Sequence, residues 1–208
     1  MCFNECMELG IEQHAVLYAS IAKAVLETLG PERGEEVIRT ITVRYGRKRG
    51  QRMREHAEKM GYGSSLNAFF LCGEWQGKPG ENESVLIREK DRTVSEVRKC
   101  AWYDAWKKHG LLNEGSYYCR WIDQSLCEGF DGSFSLDVPL AIGLGDEICR
   151  FVWNEESSEL EKKTSFVVPF SFHCQELSET AKEVLFEEEA DQAEGILKTA
   201  EQLYQLEV

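Results

Sequence analysis

The chain has 208 residues, 42% of them apolar, and a formal net charge of −13. That is enough material for one core, and the charge opposes a nucleic-acid or anionic-membrane partner, because neutralising phosphates takes clustered excess cation. No apolar run approaches the roughly 20 residues of a membrane span, and residues 1–10 lack the charged start and hydrophobic centre of a signal peptide, so a single cytoplasmic domain is expected.

In chain order, residues 11–29 place Leu17, Ile21, Val25 and Leu29 at four-residue steps before Gly30-Pro31, which predicts a helix. A second helix is expected over 32–60, with Val37, Ile38, Ile41 and Tyr45 on its apolar side and a strongly basic later half, ending at Gly61-Tyr62-Gly63. Residues 64–72 read as a short helix and 73–82 as a loop anchored by Trp75. Val85, Ile87, Val94 and Val97 around Asp91 suggest a two-stranded hairpin over 84–100. Short helices follow over 102–109 and 116–127, the latter with Tyr117, Trp121 and Ile122 inward and broken by residues 129–132. Residues 134–140, 147–153 and 164–174 read as strands, and 176–206 as one acidic amphipathic helix. The fold class expected is α+β: N-terminal helices on an antiparallel sheet, with a C-terminal amphipathic helix. No internal repeat is present.

A helix over 116–127 sets Cys119 and Asp123 on one face, four residues apart. A carboxylate alone raises a thiol's pKa, so a nucleophilic Cys119 needs a cationic or imidazole partner as well. His14, on the apolar stripe of the first helix, is the candidate. The bland alternative makes Cys119 a small buried hydrophobe, Asp123 a surface acid and His14 a hydrogen-bonded core residue.

The stretch from Arg44 to Arg54 carries six cations in eleven positions. Arg44, Lys48 and Gln51 line one face, suited to a substrate carboxylate, while Gly46 and Gly50 permit close approach of a helix or a ligand. Pairing of these cations with acids elsewhere in the fold is the structural alternative. Eight cysteines without a Cys-x-x-Cys pair read as thiols of a reducing compartment. No cofactor is expected, the exception being zinc if Cys100, Cys119 and Cys149 converge. Gly143-Leu144-Gly145 is too short for a phosphate loop, and the common hydrolase signatures are absent.

Four fragments belong together: residues 12–18 (Glu12-Gln13-His14-Ala15-Val16-Leu17-Tyr18), 44–50 (Arg44-Tyr45-Gly46-Arg47-Lys48-Arg49-Gly50), 118–123 (Tyr118-Cys119-Arg120-Trp121-Ile122-Asp123) and 145–153 (Gly145-Asp146-Glu147-Ile148-Cys149-Arg150-Phe151-Val152-Trp153). In this order they resemble the L-2-amino-thiazoline-4-carboxylic acid hydrolase family. The resemblance implies hydrolytic opening of a C–N bond in a small carboxylated cyclic amidine, with a carbamoyl-cysteine-type product. Carried onto this chain, it implies Arg44 and Arg47 on the substrate carboxylate, Cys119 as nucleophile or, failing that, a metal ligand, Asp123 and His14 handling protons, and Cys149 as the second candidate for the catalytic cysteine. The rival reading is a non-catalytic sensor domain that binds a small molecule or a metal. The small and apolar residues of the first two helices leave room for a homodimer.

Overall fold

The computed structural model describes residues 9–158 and 166–208. In chain order the helices are α1 (Ile11–Leu29), α2 (Pro31–Lys59), α3 (Leu66–Leu71), α4 (Ala101–Lys108), α5 (Leu112–Phe130), α6 (Phe170–Glu188) and α7 (Ala190–Glu207). The strands are β1 (Glu83–Glu89), β2 (Arg92–Lys99), β3 (Leu136–Leu140) and β4 (Cys149–Trp153), in one antiparallel sheet of order β1-β2-β4-β3. The fold class is α+β. Two compact units divide the chain, one of residues 1–45, 101–120 and 169–208, the other of 46–100 and 121–168. Two of the four divisions fall inside helices, one in α2 and one in α5. Among the described residues no helix is long and apolar enough to cross a membrane.

In the first unit α1 is the central helix, packed by α4, α6 and α7. Its start is secured by the Gly10 amide, which donates to Gln13 Oε1 at 2.9 Å, and its end by Gly30, whose φ of +80° takes the chain out of the helix. Ala15, Ala19, Ala22 and Ala24 are fully buried along it, which lets neighbouring helices approach closely. The end of α1's first turn, the C-terminal end of α4 and the last turn of α7 are joined at His109. Its Nε2 lies 2.8 Å from Glu12 Oε1 and its Nδ1 2.8 Å from Glu207 Oε2, while Lys108 also reaches Glu12 at 2.6 Å. Two carboxylate acceptors need two N–H donors, which makes the ring an imidazolium. Burial pulls its pKa down, but the hydrogen bonds and charges of Glu12 and Glu207 outweigh that and raise it.

The C-terminal region differs from expectation in two ways. Residues 166–169 are irregular and 170–174 are helical, where the alternation of Phe166, Val168, Phe170 and Phe172 suggested a strand. Pro169 stands at the N-cap of α6 with φ −60°, and His173, Cys174 and Leu177 then follow the helical period into the interior. The single terminal helix is also two helices. The break at Glu189 (φ −138°, ψ 41°) has no Gly or Pro to announce it. It is held from outside the segment, by Arg33 donating to Glu189 at 2.6 Å and Glu188 at 3.1 Å. Expectations for residues 1–8 and 159–165 lie outside the described residues.

In the second unit the sheet carries a core with the later part of α2, α3 and the end of α5, centred on Met53, Phe69, Phe130, Phe134, Leu136 and Trp153. The β1–β2 hairpin turns at Lys90-Asp91, with Asp91 at φ +66°, a conformation that Asp tolerates better than most residues. Residue 129 does not break α5 as expected. A Cβ at Gly129 would collide with the Arg47 backbone, and one at Gly50 would collide with the Leu126 carbonyl and the Phe130 amide. A Cβ at Gly46 would lie 2.8 Å from that of Ser125. Gly46, Gly50 and Gly129 therefore let α2 and α5 touch backbone to backbone.

Two outcomes test this account. Gly50→Ala should lower unfolding free energy by about 3 kcal/mol, because overpacking against rigid backbone outweighs alanine's helix preference. Gly195→Ala, on α7 with nothing within 4 Å, should raise it by up to about 1 kcal/mol; urea denaturation reads both. The His109 clasp stabilises fully below the unfolded imidazole pKa and is lost as pH rises through the raised folded value. The melting-temperature gap between wild type and His109→Gln should thus be widest below the ordinary imidazole value near 6.5 and shrink as pH rises above it through the raised folded value.

Candidate functional site

Two groups of buried polar side chains stand out, one in each unit. In the first unit His14 is almost fully enclosed, with the rings of Tyr45, Trp102, Tyr118, Phe170 and His173 around it. The Trp102 indole N–H donates to His14 Nδ1 at 3.2 Å, and His14 Nε2 lies 3.0 Å from the Tyr45 hydroxyl, which itself donates to the His173 carbonyl at 3.3 Å. An indole can only donate, so Nδ1 is the acceptor and the neutral ring carries its proton on Nε2. The donors thus run in one direction, from Trp102 through His14 and Tyr45 to the backbone of α6. Beside this chain Tyr18 bonds Thr42 at 2.7 Å, and burial raises its phenol far above the ordinary range.

In the second unit the gathered groups are Arg49, Arg52, Glu74, Asp123, Cys149 and Cys127. Arg49 belongs to the buried stripe of α2, which steps by four through Tyr45, Arg49, Met53 and Ala57. Glu74 is fully buried and receives Arg49 Nε at 2.6 Å and Arg52 Nε at 2.8 Å. Asp123, half-buried on α5, has its carboxyl pushed up to about 6 by desolvation, with the charge of Arg49 pulling the other way. Cys149, buried at the start of β4, accepts the Ile142 amide at 3.3 Å. Burial pushes its thiol up to about 11, and the nearby Cys100, Asp123 and Asp146 add to the rise against that hydrogen bond. Cys127 is pushed up to about 12 by burial, with the charges of Asp123 and Glu128 adding to the rise. Asp123 is the acid whose charge reaches both thiols.

The cations expected to meet a substrate carboxylate are mostly engaged. Arg44 forks onto Glu187 at 2.9 and 2.7 Å, in the first unit. Arg47 holds Glu128 at 2.8 Å on the surface of the second. Lys48, the next residue on α2, is half-buried. Cys119 is half-buried one helical turn before Asp123 on α5. The buried neighbour on that stretch is Tyr118; Tyr117, expected to face inward, lies under the Arg120 guanidinium, 4.6 Å from ring centroid to carbon. Arg150 extends from the sheet face opposite Cys149 and pairs with Glu96. Among the described residues no group of three or more His, Cys, Asp or Glu side chains is arranged to hold a metal ion, Cys100, Cys119 and Cys149 included.

Arg49 and Glu74 were missed from the sequence. Arg49 was in fact signalled, since it falls on the same four-residue step as Tyr45 and Met53. Glu74 carries no signal within its polar loop.

No curated protein and no solved structure matches the chain. The sequence profile described as L-2-amino-thiazoline-4-carboxylic acid hydrolase does match, over residues 10–153, a span that takes in α1, the α2 cations, Asp123 and all of β4. With more than half of its length inside that match, the chain belongs to the L-2-amino-thiazoline-4-carboxylic acid hydrolase family.

Proposed function

We propose that the protein hydrolyses a C–N bond in a small carboxylated cyclic amidine of the 2-amino-thiazoline-4-carboxylate type. The observation that carries this reading is Asp123, an acid pushed up to about 6 by desolvation against the pull of the Arg49 charge, inside the matched family span. A carboxyl poised there is mostly ionised at neutral pH yet basic enough to move protons. Asp123 takes a proton from water as the oxygen adds to the ring carbon between nitrogen and sulfur. It returns that proton to the ring nitrogen, then takes the second proton from the hydroxyl of the adduct and passes it to the same nitrogen as the C–N bond breaks and the C=O bond forms. The carbon keeps its exocyclic nitrogen and its sulfur, so the product is a carbamoyl group on the cysteine sulfur with a newly freed primary amine.

Water is favoured over Cys149 as the attacking group. With its thiol pushed up to about 11 by burial, Cys149 is almost wholly un-ionised at neutral pH and supplies little of the thiolate that would attack carbon. Cys149 acts instead as a neutral wall beside Asp123. The substrate carboxylate is met by the basic half of α2, where Lys48 is the less exposed of the outward cations and Arg47, in an exposed pair of little net worth, exchanges Glu128 for substrate. Cys119, on the same helix as Asp123, is the thiol that a covalent route would use. His14 serves the interior, both of its nitrogens being occupied.

Purified protein should turn over 2-amino-thiazoline-4-carboxylate with release of a primary amine and no free thiol; a thiol-specific reagent and an amine-specific reagent distinguish C–N from C–S cleavage. Turnover should survive Cys119→Ala in reduced form and be lost, by 10²-fold or more, in Asp123→Asn. Complete loss in Cys119→Ala would replace water with that thiol. The rate kcat/KM should rise with pH through about 6, as befits a base. The same carboxyl costs stability: because its folded pKa lies above the unfolded value near 4, the native state is penalised increasingly from about pH 4 to about 6 and constantly beyond. Asp123→Asn should therefore be more stable than wild type at about pH 8, by up to about 3 kcal/mol, and should lose that advantage near pH 4.

A further inference from the structure

We propose that Glu74 is a positioning residue for Asp123: by taking up Arg49 together with Arg52 in one buried ion cluster, it sets how much positive charge the Asp123 carboxyl meets. This deepens the reading of Asp123 as the proton carrier and rests on it for its catalytic meaning.

The cluster is built for such a role. Glu74 is wholly buried and Arg49 nearly so, and each oxygen of the carboxylate receives the Nε of a different arginine, at 2.6 and 2.8 Å. A buried carboxylate shared by two guanidiniums seldom stabilises a fold more than an apolar trio of similar volume would, which leaves an electrostatic role as the use of this cluster. Arg49 alone, pointing its full charge at Asp123 through a low-dielectric interior, would make that carboxyl an ordinary strong acid and a poor base. The Glu74 charge offsets Arg49, and Arg52 in turn limits how much of that offset reaches it. The groups facing Asp123 are Arg49 from α2, Cys149 from β4 and Cys127 from α5 itself, with Asp146 and Cys100 next around Cys149. Arg49 is the cation among them, which makes it the group through which tuning must pass.

The test is a pair of substitutions of opposite sign. Glu74→Gln should lower the Asp123 midpoint by about one pH unit by exposing it to uncompensated Arg49. Arg52→Gln should raise it by a smaller amount, because Glu74 then answers Arg49 alone. The midpoint is read in substrate-free protein from the carboxyl carbon resonance of Asp123, and again from the pH profile of kcat/KM. Opposite displacements support the proposal, since a merely structural cluster would move neither midpoint in a signed way. An unmoved resonance in folded Glu74→Gln overturns it. Should Glu74→Gln not fold, Arg52→Gln decides alone, and an unmoved midpoint there overturns it equally. Signed shifts of the resonance with an activity profile that ignores them leave the tuning intact and remove Asp123 from the reaction instead.

Discussion

The backbone contact of α2 with α5 within the second unit is the constraint on which the candidate site depends. Gly46 and Gly50 on one helix and Gly129 on the other remove the side chains that would hold the two axes apart. Only with that clearance can a long side chain such as Arg49 be buried on the α2 stripe and bear on Asp123. The glycines weaken both helices intrinsically, and the compensation is packing density at the crossing. The basic run that includes Gly46 and Gly50 is therefore a composite. Its glycines make a helix contact, Arg44 and Arg47 make surface pairs, and Arg49 and Arg52 reach inward to Glu74.

The buried charges show the same economy. Asp123 is left in surroundings that disfavour its ionised form, while Glu74 is given two guanidiniums. Two carboxylates in one unit are thus treated oppositely, one satisfied and one held back. Pairs of acids driven apart in this way are a recurring mark of proton-transfer sites. The buried thiols of Cys127 and Cys149, both pushed up by burial, behave as apolar packing that happens to be near the acid.

Much of the fold was legible because local signals and tertiary demands coincide. The limits of α1 follow from the period of its apolar residues and the Gly30-Pro31 stop, and the hairpin around Asp91 follows from alternation and a turn residue. Reading failed where the deciding partner is remote in sequence. The corner at Glu189 is fixed by Arg33, more than 150 residues away, and Gly129 lies inside a helix because Arg47 is pressed against it. Residues 166–172 alternate like a strand, yet Pro169 and the buried His173, Cys174 and Leu177 make the helical period the one that closes a core. At the site, Asp123 and Cys149 do come within electrostatic reach of each other. His14 turned out to be part of a closed hydrogen-bond chain, an arrangement that no spacing within a single helix can reveal.

The pairing of α2's arginines with glutamates has an effect felt well outside the fold. Arg33, Arg44, Arg47 and Arg49 each spend their charge on a neighbour at short range, so the excess of 13 negative charges is what a distant solute meets. An anionic small molecule would approach uphill, against a repulsive field that fades over roughly 10 Å at 0.1 M ionic strength. Added salt would then quicken encounter rather than slow it, the reverse of the behaviour of enzymes that draw their anionic ligands in by long-range attraction.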